Sequence, residues 1–334
     1  MEFMPTREAI QTCVLSKRWK NVWKSLDTFS LKPLNGIRKY NQFVSKVLSN
    51  RDDSVSLRGF QMPVFSSTAP KLLKAIEYGA RHNLQKLTLA MDFRFKEIPV
   101  SLVPLIFNCQ SLTFLDLYIN SSCSNLKLPP SILLPSLETL YLSNVTFTAT
   151  DNHCIDPFST CTSLTTLVLQ HDLRYESTQT LLISNPNLSV LKLESVVSRH
   201  TFNPKLVLST PNLSLITLGI QICYELSCTC DLPLLEEVYV NQGVHTVSSV
   251  IINWLQLFPQ VKTLRLSSYA LEMLLKDVVM TGIEIQPPSF FRLKSMKMEI
   301  GRHMISDDHV DIILDYLLRN CQTIDVEVDA ITED

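Results

Sequence analysis

Three groups of residues in this 334-residue chain have types and spacings that could do chemistry. Cys228 and Cys230 form a C-x-C step with Cys223 shortly before it, thiols of the kind that hold zinc. A structural zinc site needs four Cys or His ligands in paired spacing, and no second pair accompanies these three. They read as small apolar thiols. His303 and His309 flank Asp307 and Asp308, donors suited to a divalent metal. The same residues suit the hydrated start of a helix, and no metal is expected there. The third group is Trp19 and Trp23, four apart on an expected helix and so on one face with Leu15, among Lys17, Arg18, Lys20 and Lys24. Aromatic anchors ringed by positive charge recognise a protein surface rather than catalyse. No G-x-S-x-G, H-E-x-x-H or paired C-x-x-C occurs, and 7 glycines are too few for a phosphate-cradling loop. The expectation is a non-catalytic binding protein without a cofactor.

The elements that must carry these groups are legible in one recurring phrase, L-x-x-L-x-L. It appears as Leu84-Leu87-Leu89, Leu112-Leu115-Leu117, Leu137-Leu140-Leu142, Leu164-Leu167-Leu169 and Leu188-Leu191-Leu193. It continues as Leu213-Ile216-Leu218, Leu235-Val238-Val240, Val261-Leu264-Leu266 and Leu293-Met296-Met298. The starts are 22 to 32 residues apart, and leucine supplies 52 residues of the chain. That period belongs to leucine-rich repeats. The last four positions alternate, so the second and third apolar residues share one face of a short strand, while the first enters from the preceding turn. One repeat cannot bury that face alone; stacked repeats can.

Pro stands two residues before the phrase at Pro135, Pro186, Pro211, Pro233 and Pro259. It is expected to end the convex segment just before the strand. Cys109 and Cys161 stand three residues before it, a recurrent placement that makes these thiols structural. Val247–Phe258 shows the spacing of a convex helix. Residues 5–50 read as helices, and Val55–Val64 as the first strand of the sheet. Beyond the last repeat, Val310, Ile313, Leu314, Leu317, Leu318 and Cys321 outline a capping helix, Gln322–Val328 a last strand, and Asp329–Asp334 a frayed acidic tail. Residues alternating with the core Leu should face a partner: Phe114, Asp116, Tyr118, Tyr141, Lys192, Tyr239, Arg265 and Lys297.

The net charge of -2 hides an asymmetry. Residues 1–58 carry 11 Lys and Arg against 5 Asp and Glu, whereas residues 299–334 carry 2 against 10. A basic end meets nucleic acid or an acidic protein face; the expectation is a protein and not nucleic acid. Nine scattered cysteines and an N-terminus without an apolar run favour a reducing compartment, the cytoplasm or nucleus. The uncharged stretches Ile98–Leu115 and Leu206–Tyr224 carry Pro, Asn and Gln, so no membrane span is expected. The N-x-S/T triplets at Asn120, Asn144, Asn187 and Asn212 read mostly as by-products of a repeated Pro-Asn-Leu-Ser phrase.

The segment Pro5–Leu26, PTREAIQTCVLSKRWKNVWKSL, resembles the second half of the F-box of plant F-box/leucine-rich-repeat proteins. The matching positions are Pro5, Thr6, Glu8, Ala9, Thr12, Val14, Leu15, Ser16, Lys17, Arg18, Trp19 and Trp23. LYLSNVTF from Leu140, VKTLRLSS from Val261 and PPSFFRLKSMKM from Pro287 are similar to the same family, as is the C-terminal DYLLRNC, which resembles its FBD-type members. The resemblance implies an α/β leucine-rich-repeat solenoid (a horseshoe with short parallel strands on its concave face) preceded by a partial helical F-box. It implies a partial F-box and linking helices over 1–50, repeats over 55–300, and an FBD-like cap over 301–334. By the same resemblance, Pro5, Val14, Leu15, Lys17, Arg18, Trp19 and Trp23 would contact a Skp-type adaptor. Through that adaptor the chain would join a cullin in a ubiquitin ligase, its repeats holding an unknown protein substrate. Only Glu2, Phe3 and Met4 follow the initiator before Pro5, so the first F-box helix is expected to be missing. A repeat scaffold that no longer binds the adaptor is the alternative.

Overall fold

The structure is a computed structural model. It describes the chain apart from residues 1–4, 33–35, 66–68, 93–98, 100, 121–125, 149–153, 173, 176–179, 198–204, 221–224, 242–247, 281–285, 302–306, 320, 322–323 and 332–334. The fold is α/β, built of parallel strands from stacked leucine-rich repeats, in two compact units. The first comprises Met1–Thr146 with Thr160–Leu164, and the second Phe147–Ser159 with Thr165–Asp334.

In the first unit the ladder strands are β1 (Thr28–Ser30), β2 (Gly59–Phe65), β3 (Lys86–Asp92), β4 (Phe114–Ile119) and β5 (Thr139–Ser143). They pair in parallel in chain order. In the second unit they are β6 (Thr166–Asp172), β7 (Val190–Val197), β8 (Leu215–Ile220), β9 (Glu237–Val240), β10 (Thr263–Leu266), β11 (Ser295–Gly301) and β12 (Asp325–Ile331), again parallel in chain order.

Every apolar position of the nine phrases is buried, from Leu84 at 0% exposure to Leu293 at 8%. The entry turn repeats as well. The amide of the first apolar residue donates to the carbonyl three before it, as in Leu137 to Leu134 (3.1 Å), Leu213 to Thr210 (3.1 Å) and Val261 to Phe258 (3.2 Å). Two amides entering each strand then share one carbonyl of the strand before. Ser214 and Leu215 both donate to Ser189, and Glu236 and Glu237 both donate to Ser214. The hydroxyls of Ser189 and Ser214 donate to that ladder too, at 3.1 and 2.9 Å. Asn144 is buried and its side-chain amide donates to the Ile119 carbonyl, while Asn212 donates to Pro186 at 2.7 Å. Structural hydrogen bonds thus account for Asn and Ser positions in several of the N-x-S/T triplets.

The return segments differ from the sequence expectation. Pro135, Pro186, Pro211, Pro233 and Pro259 occupy the second position of these hydrogen-bonded turns, where their fixed φ is pre-set. Among the described residues, only Pro259 follows a helix, α5 (Ser248–Gln256), which buries Ile251, Trp254 and Leu255, with Phe258 buried just beyond. The repeat opening at Val261 also returns by a helix, whereas four other returns in the second unit are short strands. Cys154–Ile155, Thr180–Ser184, Lys205–Ser209 and Glu225–Cys228 form their own parallel sheet, burying Leu181, Leu206 and Leu226 in register. Repeat length follows part of the difference, although the 27-residue repeat opening at Leu137 returns by strand and the 26-residue repeat opening at Leu235 by helix. A strand rises about 3.3 Å per residue and a helix about 1.5 Å, so the same return path takes fewer residues as strand. The repeats opening at Leu164, Leu188 and Leu213 are 22 to 25 residues long, whereas the one holding α6 (Ser268–Met280) is 32.

The remaining helices are α1 (Thr6–Gln11), α2 (Ile37–Asn50), α3 (Ala69–Arg81), α4 (Leu102–Phe107) and α7 (Asp307–Leu317). The N-terminal region is not all helix, because β1 adds a strand ahead of β2, which begins at Gly59 and not Val55. Three residues, Thr-Phe-Ser, are too few to show alternation. In α2, Tyr40, Val44 and Val47 are buried, and the Tyr40 hydroxyl donates to the Leu31 and Pro63 carbonyls at 3.2 and 3.1 Å. Arg51, 6% exposed, donates to the Tyr78 hydroxyl (2.6 Å) and the Ser56 carbonyl (2.6 Å), with its guanidinium over the Phe29 and Tyr78 rings. In α7, Val310, Ile313 and Leu317 are buried as the spacing indicates. The acidic tail is ordered further than expected: Asp329–Ile331 pair with Glu299–Gly301.

Candidate functional site

The N-terminal docking candidates belong to the first unit. α1 is held to the sheet by Thr6, buried at 1%, whose hydroxyl oxygen accepts from the Ser30 amide at 2.9 Å. Pro5 caps α1, its carbonyl accepting from Ala9 at 3.1 Å. A short 3-10 turn, Thr12–Val14, follows, and a second, Val22–Ser25, packs against α1. Between them the backbone runs through turns, with Trp19 donating to Ser16 at 3.1 Å and Val22 to Trp19 at 3.3 Å.

Leu15, Trp19 and Trp23 therefore do not share one helical face. Lys17, Lys20 and Lys24 would repel one another at three- and four-residue spacing on a helix, and Ser16 and Asn21 favour turns. Trp23 is buried at 9% and anchors the segment, whereas Val14 (87%), Leu15 (71%), Trp19 (40%) and Val22 (39%) are exposed. Lys17, Arg18 and Lys20 are exposed beside them. The result is an apolar surface with a basic rim, on a segment pinned from behind by Trp23, Ala9 and Thr6.

The partner-facing candidates lie on the exposed face of the ladders, each within its own unit. In the first unit one row runs Ser30, Gln61, Thr88, Asp116, Tyr141, and a neighbouring row runs Thr28, Gly59, Lys86, Phe114, Thr139. The structure brings Phe114 and Tyr141 together, ring centroids 5.7 Å apart. Tyr118 is 44% exposed. Burial pushes the half-buried Asp116 carboxyl above the usual range. Beside Phe114 a groove of about 540 Å³ opens over β1 to β4, lined by Asp27, Arg58, Gln61, Lys86 and Thr88 among others. Gly59 lies at its floor, where a Cβ would come within 2.8 Å of the Thr28 methyl.

In the second unit, Lys192, Thr217, Tyr239, Arg265, Lys297 and Glu327 form one row across β7 to β12. Three carboxylates that the sequence reading passed over complete it. Glu299 accepts from the Tyr239 hydroxyl and from Arg265, both at 2.8 Å; Glu237 accepts from Arg265 at 3.4 Å; Glu327 pairs with Lys297 at 2.7 Å. The Arg265 guanidinium sits 4.6 Å from the Tyr239 ring centre. Burial, with the Glu299 contact, raises the Tyr239 phenol well above its usual value. Extending the alternation one step either side of Tyr239 and Lys297 reaches Glu237 and Glu299. The face is polar and charge-paired. Among the described residues no three Cys, His, Asp or Glu side chains group as metal donors. His303 and Cys223 lie outside the described residues. Cys109 and Cys161 are buried, their thiols donating to the Leu105 and Ile132 carbonyls, each at 3.2 Å. No described helix is long and apolar enough to cross a membrane.

Parallel ladders with this phrase, entry turn and shared-carbonyl register define a leucine-rich-repeat protein. No family model matches the chain. It is similar to an F-box/FBD/LRR-repeat protein of Arabidopsis thaliana, 29% identical over 228 residues, covering 66% of this chain and 51% of that one. An FBD-associated F-box protein from the same plant is 26% identical over 275 residues, covering 75% of this chain and 53% of that one. An F-box/LRR-repeat protein, also from Arabidopsis thaliana, is 29% identical over 183 residues, covering 52% and 48%. The chain is thus a relative of plant F-box/leucine-rich-repeat proteins, and it spans about half the length of the curated relatives it matches.

Proposed function

We propose that this protein is a non-catalytic substrate-recognition subunit of a Skp–cullin–F-box ubiquitin ligase. The observation that carries the reading is the exposed Val14, Leu15 and Trp19 with their Lys17–Arg18 rim, in the segment that resembles an F-box. Apolar anchors ringed by charge suit a Skp-type adaptor, and cullin follows through that adaptor. The polar ladder faces suit a protein substrate. Holding substrate beside a ubiquitin-charged enzyme raises the effective concentration of its lysines, which is the whole of the catalysis such a subunit supplies. Its place of action in this reading is the cytoplasm or nucleus, in keeping with buried thiols used as hydrogen-bond donors.

Co-purification with a Skp-type adaptor tests the reading. Val14→Asp with Leu15→Asp should weaken adaptor binding at least tenfold without lowering the melting temperature, because both side chains face solvent. Trp23→Ala should instead lower stability. Full adaptor binding by the double Asp variant would remove these residues from the interface.

A further inference from the structure

On the exposed face of the first unit's ladder, Asp116 stands among three aromatic residues. Phe114 and Tyr118 flank it on β4 at two-residue spacing, and Tyr141 is its register partner on β5. The Phe114 and Tyr141 ring centres are 5.7 Å apart with a tilt of 42°, and Tyr118 is 44% exposed. On its other side Asp116 meets Thr88 of β3, and Ala90, opposite Tyr118, is small and exposed. The carboxylate is half-buried, yet among the described residues nothing donates to it and no cation pairs with it. Lys86 lies in the next row, opposite Phe114, and makes no ion pair with Asp116. A half-buried charge without a partner carries a desolvation cost that nothing in the fold offsets, and burial raises this carboxyl for that reason.

The same chain shows what satisfies such a combination. On the ladder of the second unit, Arg265 sits 4.6 Å from the centre of the Tyr239 ring and donates to Glu299 at 2.8 Å. Tyr239 and Arg265 are register partners on β9 and β10, so ladder strands present the ring, the guanidinium and the carboxylate alike. In the first unit, Arg51 lies over the Phe29 and Tyr78 rings. Both examples use arginine, whose planar guanidinium stacks on a ring and forks to a carboxylate, whereas a lysine ammonium is a compact point charge. Around Asp116 the rings and the carboxylate are present, and no described residue supplies the guanidinium.

We infer that Phe114, Asp116, Tyr118 and Tyr141 form a receptor for one arginine side chain of the protein held on this ladder. Its guanidinium donates to the Asp116 carboxylate and lies against the neighbouring rings. The inference deepens the reading of the ladders as a substrate surface and rests on it only in making that protein a ubiquitination substrate. Adaptor binding belongs to a different segment, so the two can fail separately.

The probe is a blocked Gly-Ser-Arg-Ser-Gly peptide, titrated against the full chain with no adaptor present and read by saturation-transfer difference NMR. Saturable transfer to the arginine methylene protons is expected. Citrulline in place of arginine keeps the shape and removes the charge; it should weaken binding at least tenfold, and lysine in its place should bind more weakly than arginine. Asp116→Asn in the protein should weaken arginine binding at least tenfold without lowering the melting temperature, because the fold gains no pairing from this carboxylate. Tyr141→Leu should weaken it with Asp116 intact. Full-strength binding of the citrulline or lysine peptide, full-strength arginine binding by either protein variant, or no saturable arginine binding to the unaltered chain would each overturn the inference.

Discussion

Cys109 and Cys161 show how one position in the repeat acquires its residue. Three places before most phrases the side chain is buried in the stack, and both thiols and the Asn185 amide donate there to carbonyls of the return segments. Cys, Asn185, Thr210 and Phe258 all occupy that place and are buried, and Asn185 donates to the Phe158 carbonyl at 3.1 Å. Burial pushes the Cys161 thiol up to about 11. In the unfolded chain the thiol ionises near pH 8.5, roughly its ordinary value. The folded state thus holds the proton more tightly, and its advantage is complete below the unfolded value and lost as pH rises through about 11. The urea midpoint should fall between pH 9 and 11, and Cys161→Val should flatten part of that fall, leaving the share of the other groups that burial raises, Cys228 and Tyr40 among them. At pH 8, Ellman's reagent should modify the exposed Cys154 quickly and reach Cys109 and Cys161 only after denaturation. The repeat position of these cysteines was legible in the sequence; their hydrogen-bond partners were not, because those carbonyls belong to return segments with no phrase of their own.

At the scale of elements, the strand and its entry turn do different work. Leu167 is fully buried in the ladder core, so Leu167→Ala should cost about 2–5 kcal/mol, read from urea denaturation. Pro211 is only partly buried, at the second position of its turn. Pro211→Ala should cost only about 0.4–1 kcal/mol, through the greater freedom of the unfolded chain. A loss as large as that of Leu167→Ala would assign Pro211 a packing role. The ladder strands are readable from leucine spacing because every repeat must bury the same face. The return segments are not, since helix and short strand both satisfy a few apolar residues over the same path, and repeats of 26 and 27 residues use one each. The tryptophan segment failed as a helix for a related reason. Four-residue spacing suggested a shared face, but the lysines at the same spacing oppose the helix that would create it.

At the scale of the whole molecule, the two units each carry a ladder core. Stability in stacked repeats is largely a sum of local and nearest-neighbour terms. Leu264→Ala, in β10, should therefore speed amide exchange in β8 to β12 while leaving β1 to β5 unchanged, as measured by hydrogen–deuterium exchange. Equal loss in both units would show that they unfold as one. The charge asymmetry also takes its meaning at this scale. The basic excess of residues 1–58 includes the rim around exposed Leu15 and Trp19, and the acidic excess of residues 299–334 includes the exposed Asp325, Glu327 and Asp329 of β12.

The sequence by itself determined the repeat: its period, the identity of its core residues and the parallel register, because burial of a periodic apolar face admits one stacking. It also carried the resemblance to an F-box in Pro5–Leu26. Only the tertiary structure decided which side chains of that segment face outward, that Trp23 anchors while Leu15 and Trp19 are displayed, and that carboxylates from neighbouring strands neutralise Arg265 and Lys297. Those outcomes depend on residues 28 to 60 positions apart meeting across strands, and spacing along one chain does not encode such distances.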